Sequence, residues 1–143
     1  MHQVTQTAAT MKLYHGTSSN RIPQILSEGL NAPSHWGTIR IASFFARREC
    51  KEVGGQSVLI AIHLNNLDER ALSVDTEMLD FPVLTDIAGA DHGELETQWE
   101  DSKQSWRDSL DTYESVVYAK RLTITTDMLV DHDDSPIAAP TPA

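Results

Sequence analysis

The chain has little cysteine, little positive charge and no long apolar run. Cys50 is its one cysteine, which excludes an internal disulfide and every zinc site built on several thiolates. No apolar stretch approaches the roughly 20 residues that a membrane-spanning helix needs, so no membrane partner is expected. Lys and Arg number 11 against 21 Asp and Glu, a formal charge of −10 over 143 residues. So few cations release few counterions on a polyanion, and broad nucleic-acid binding is not expected. A small basic patch at Arg47, Arg48 and Lys51 remains open. The opening MHQVTQTAAT lacks the basic start and apolar stretch of a secretory signal. With a lone thiol, this makes a cytoplasmic setting the expectation. The six His form no HExxH and no paired ligand spacing, so no metal is expected.

What is present suffices for one packed domain. Hydrophobic residues make up 40% of the chain, and its length supports a core without staples. Residues 1–11 read as a flexible tail, with Met11 a candidate natural start. The run DHDDSPIAAPTPA over 131–143 mixes acid with Ala and Pro and reads as disordered. Residues 12–130 form the domain between them. Lys12 to His15 reads as a short strand ending at Gly16, with Thr17, Ser18 and Ser19 as N-cap candidates for the next helix. That helix carries Ile22, Ile25 and Leu26 on one face, takes Pro23 in its first turn and ends at Gly29. A second helix covers Ala42 to Cys50, with the thiol packed at its end. Gly54–Gly55 turns the chain into an apolar strand over Ser57 to Leu64, with His63 a structural residue inside it. Glu94 to Leu110 reads as one helix with Trp99 and Trp106 on a shared face. Tyr113–Tyr118 and Leu122–Ile124 read as late strands. The order lacks the alternation of a parallel doubly wound sheet, which makes the class α+β.

Chemistry concentrates in Tyr14-His-Gly-Thr-Ser18. A His beside a Gly at a strand end places a ring donor next to an approachable backbone, an arrangement suited to a flat polar ligand. The same residues also describe an ordinary strand-to-helix turn. Together with Ile25-Leu-Ser-Glu-Gly-Leu30, they resemble the opening of the ADP-ribosyltransferase superfamily, in its His–Tyr–Glu branch of diphtheria-toxin-like and poly(ADP-ribose) polymerase-like enzymes. Ala42-Ser-Phe-Phe-Ala46 resembles that branch's Ala-x-x-Tyr-Ala helix. Phe45 falls at the Tyr position, and Phe44 is the other choice. Tyr113-Glu-Ser-Val-Val-Tyr118 resembles its Glu-x-x-Val strand.

The resemblance covers three short patches within residues 12–130. It implies a split, mostly antiparallel β-sheet with flanking helices around an NAD cleft. His15 would bond a ribose hydroxyl, the Gly16 backbone would pair with the nicotinamide amide, and Thr17 would shape the pocket. Trp36 would wall it and Phe45 would stack on nicotinamide, which needs a ring face but no hydroxyl. His15 and Glu114 would be the catalytic residues. A carboxylate at Glu114 would stabilise the oxocarbenium-like ribose that forms as the glycosidic bond breaks. NAD would be a substrate, and a protein side chain the acceptor of ADP-ribose, as in toxins and effectors. The same fold supports NAD-dependent RNA 2′-phosphate transfer, which the acidic charge disfavours. A non-enzymatic binding protein, such as an acidic nucleic-acid mimic, is the reading of a different class.

Overall fold

The computed structural model describes residues 11–137. Six strands form one antiparallel sheet in the order β4-β5-β2-β1-β3-β6. They are β1 (Lys12–Ser18), β2 (Ser34–Gly37), β3 (Ser57–His63), β4 (Leu72–Val74), β5 (Ser115–Tyr118) and β6 (Leu129–Val130). The apolar run of β3 puts it in the interior, and it pairs with β1 over seven positions, from Lys12↔His63 to Ser18↔Ser57. Among the described residues six α-helices flank the sheet: α1 (Ile22–Glu28), α2 (Ile39–Val53), α3 (Thr76–Asp80), α4 (Val83–Ala88), α5 (His92–Glu100) and α6 (Trp106–Tyr113). This is an α+β fold with a six-stranded antiparallel sheet and flanking helices. Among the described residues no helix is long and apolar enough to cross a membrane.

Strand alternation divides the core. Leu13, Trp36, Val58, Ile60 and Val116 point to one face, where Ile22 and Ile25 of α1 meet them. Tyr14 and Leu59 point to the other, against Ala42 and Ala46 of α2. Ile41 extends that second layer to Met78, Leu84 and Tyr113. Each aliphatic side chain so buried contributes about 1.5–3 kcal/mol. α2 can lie this close because Gly16 has no side chain: a Cβ there would stand 1.8 Å from the Ala42 carbonyl oxygen and 2.7 Å from the Ala46 nitrogen. The glycine is thus a packing requirement, whatever else its backbone does.

Several expectations change. β1 runs through Gly16 to Ser18, whose hydroxyl accepts from the Asn20 N–H and opens the following turn. The single helix over Glu94 to Leu110 is two helices. The backbone leaves the helix after Glu100 and passes through Gln104 at φ 58°. Ser105 then starts α6 with a capping box to Asp108, satisfying N–H groups that a continuous helix would have bonded internally. Trp99 and Trp106 therefore sit on separate helices, Trp99 against Tyr113 and Trp106 on the opposite core. Tyr113 ends α6 and the strand starts at Ser115. Leu122–Ile124 is no strand, although Leu122 bridges to Leu30 and Ile124 is buried. His63 lies exposed at the end of β3, while Cys50 is half-buried near the end of α2. The stretch from Asp131, expected to be disordered, folds back as far as Ile137. Asp131 accepts from Asp133 and Ser135, Val130 bridges to Pro136, and Ile137 packs on the core. Its carboxylates and apolar Ile found local partners that composition does not reveal. The tails expected at residues 1–10 and 138–143 lie outside the described residues.

Candidate functional site: the gap between β1 and β2

β1 and β2 register at one position, Tyr14↔Gly37, and beyond it toward Ser18 the two strands diverge. Backbone groups along β1 alternate in direction. Ser19 donates to Gln56 and Met11 accepts from Leu64, so the odd-numbered residues address β3. The N–H and C=O of Gly16 consequently address the gap. Two adjoining cavities open there. One, of about 260 Å³, is walled by His15, Gly16, His35, Phe45, Arg48 and Glu49, among others. The second, of about 400 Å³, shares His15, His35 and Glu49 and adds Thr17, Arg21 and Glu28. These sizes suit parts of a small polar ligand.

His15 Nδ1 lies 2.8 Å from the His35 carbonyl oxygen. A carbonyl can only accept, so Nδ1 carries the proton and Nε2 holds a lone pair. Burial lowers the pKa of this ring and the carbonyl partly offsets it, which keeps the ring neutral near pH 7. Its Nε2 is then an acceptor for a hydroxyl. Trp36 is fully buried behind His15, with ring centroids 5.5 Å apart and its Nε1 donating to Ser34 Oγ. It backs the site and does not wall it. Phe45, on the second turn of α2, presents its ring to the first cavity and lies 6.1 Å from the His35 ring. Phe44 packs edge-on against Phe45 and belongs to the core behind. One helical turn after Phe45, Glu49 faces both cavities and pairs with Arg21 at 3.0 Å.

Glu114 is placed differently. It caps α6 in the left-handed conformation, φ 62°, so its side chain does not follow the pleat of β5. Its carboxylate accepts from Thr38 Oγ1 and Arg40 Nε, both at 2.8 Å, and from the second Arg40 nitrogen. The Arg40 guanidinium holds its pKa below the usual Glu value, with Thr38 assisting against burial. Glu114 thus stands beyond Gly37, level with Thr38 and about three strand positions or 10 Å from His35 along β2, at the closed end of the gap. It is in neither cavity wall. His15, Gly16 and Phe45 are brought together, with Thr17 beside them; Glu114 is not.

Sequence reasoning also passed over His35 and Asp75. His35 Nδ1 lies 2.9 Å from Asp75 Oδ2, and Ser115 Oγ donates to the same oxygen at 2.6 Å. Ser109 Oγ accepts from the Asp75 N–H and donates to the Ser115 carbonyl. Asp75 is wholly buried and its Oδ1 has no partner among the described residues. Burial pushes its pKa up, but the bonds from His35 and Ser115 prevail and hold it below the usual Asp value. The same bond raises His35 against its own burial. Glu77 brings a carboxylate within 4.8 Å of this pair, whose own nearest atoms are hydrogen-bonded to each other. No local signal marks the pair, because the partners are 40 residues apart. Compared with family models, curated proteins and solved structures, the chain finds no match in any of the three.

Proposed function

We infer that the gap between β1 and β2 binds NAD and that the protein transfers ADP-ribose to a macromolecule, a protein side chain being the acceptor. The observation that carries this is the outward-facing backbone pair of Gly16 beside a neutral His15 and the Phe45 ring. A carboxamide needs one donor and one acceptor side by side, and Gly16 offers both. The pyridine ring needs a flat apolar partner, which Phe45 supplies at about 1 kcal/mol beyond burial. A ribose hydroxyl finds an acceptor in His15 Nε2. Arg48 in one cavity and Arg21 in the other are cations for the diphosphate.

Breaking the bond from C1′ to nicotinamide builds positive charge on the ribose, and a carboxylate nearby lowers that barrier. Two are candidates. Glu49 already stands in the wall, whereas Glu114 serves if Arg40 releases it when substrate enters. The firm Arg40–Glu114 pair favours a second reading, a protein that binds the dinucleotide without splitting it. Incubating the protein with NAD and cell lysate, and measuring nicotinamide release and label on protein, separates these readings. Loss of both signals in Glu49→Gln or in Glu114→Gln identifies the acid. NAD binding without release in the wild type supports the binding module. Absence of NAD binding overturns the reading.

A further inference from the structure

We propose that His35 and Asp75 form the proton-accepting dyad of this cleft, with His35 Nε2 taking the proton of the nucleophile that attacks ribose C1′. The proposal rests on the NAD reading above and names a group that reading leaves without a task. A buried carboxylate is costly unless paired and bonded. Asp75 has 0% side-chain exposure and spends its Oδ2 on two donors, His35 and Ser115. Those bonds fix the ring from behind. Because a carboxylate only accepts, Nδ1 carries the donated proton, and Nε2, on the opposite side of the ring, holds a lone pair when His35 is neutral. His35 is 35% exposed and lines both cavities, so that nitrogen belongs to the cleft. Its neighbours there are the acceptor-poised His15, whose Nδ1 binds the His35 carbonyl, and the Phe45 ring. A fixed imidazole backed by a buried acid is the arrangement of a general base.

The step balances without a further reagent. The acceptor's O–H or N–H proton passes to His35 Nε2, and the acceptor's electron pair forms the bond to C1′. The C1′–N bond breaks with its electron pair moving into the pyridinium ring, so nicotinamide leaves neutral. The protonated ring then returns its proton to water. Asp75 touches neither substrate nor the transferred proton; it is a positioning residue that holds the tautomer and balances the imidazolium. Ser115 is fully buried and serves Asp75 in turn.

The charged and titratable groups facing His35 are Asp75 and Glu77 from the β4–α3 segment, His15 from β1, and Arg48, Glu49 and Glu52 from α2. Asp75 and Glu77 favour the imidazolium, so wild-type turnover should rise with pH through a value above that of an ordinary His. The test measures NAD affinity, nicotinamide release from pH 5 to 9, and the His35 ring titration by NMR, in wild type, His35→Gln and Asp75→Asn. In His35→Gln, release should fall about 100-fold or more while NAD affinity stays within threefold. In Asp75→Asn, the rate inflection and the NMR titration should move together to lower pH. A His35→Gln protein that keeps the wild-type rate and inflection overturns the dyad and leaves the NAD reading standing. Release abolished by a chelator and restored by a divalent cation also overturns it, making His35, Asp75 and Glu77 ligands instead. A wild type that binds NAD without releasing nicotinamide overturns the dyad as a base. One that does not bind NAD overturns both.

Discussion

β1 has two edges, and they behave differently. Toward β3 it pairs over all seven residues, Lys12 to Ser18. Toward β2 it registers once, at Tyr14↔Gly37. On the zipped edge the backbone groups are spent on the sheet, and Val58, Leu59, Ile60 and Ile62 of β3 are core. On the open edge, unspent backbone at Gly16 coincides with His15, His35 and Phe45 around two cavities. A strand whose ladder stops early exposes polar groups that need a partner. The difference between the edges is that only the open one sets unspent backbone beside titratable and aromatic side chains.

Gly16 joins the two edges, and replacing it is the largest perturbation expected. Gly16→Ala drives a Cβ into the α2 backbone at Ala42 and Ala46, and denaturant unfolding should show a loss of about 3 kcal/mol, the upper end for overpacking. Unchanged stability would mean that α2 can move away and that the glycine serves the gap alone. Asp75→Asn comes next, at about 2 kcal/mol near pH 7, for a buried bond to a charged partner. Its pH dependence sharpens the comparison. The raised His35 pKa adds stability that is complete below its unfolded value and is lost as pH rises through the folded one. The lowered Asp75 pKa adds stability that is complete above its unfolded value and is lost as pH falls through the folded one. Wild-type stability should decline on both sides, and Asp75→Asn should flatten both limbs; parallel curves would deny the pair its role.

Phe45→Ala should cost about 1–2 kcal/mol, less than a fully buried Phe, because the residue is only partly buried beside the gap. NAD affinity by calorimetry should fall tenfold or more. Intact affinity with a lower melting temperature would return Phe45 to the core beside Phe44. The smallest effect is expected at Glu114→Gln, under about 1 kcal/mol, since its partner Arg40 is largely solvated. A larger loss by thermal melting would show that the closed end of the gap depends on this pair.

Local signals made β3, α1 and α2 legible: an apolar run, Pro23 near a helix start, and glycines at 29 and 54 as caps. The Ser105-to-Asp108 capping box was also written in the chain, but the apolar spacing across it argued for one helix. Within the site, His15 and Gly16 stood out because they are adjacent at a strand end, and Phe45 because Ala42 to Ala46 resembles an Ala-x-x-Tyr-Ala helix. Glu114 stood out as an acid before an apolar strand, yet its left-handed backbone turns it toward Arg40. His35 drew no notice as a binding group, since the carboxylate that orients it lies beyond a helix and two strands.

By itself the sequence determined the α+β class and the strand and helix that open the domain. These follow from periodicity, capping and composition, which act over a few residues. Tertiary structure alone decided that β1 and β2 part after one pair, that Asp75 backs His35, and that Glu114 is held outside the gap. Those outcomes are set by which strands twist apart and which distant side chains meet, and spacing along a chain does not encode distance across a sheet.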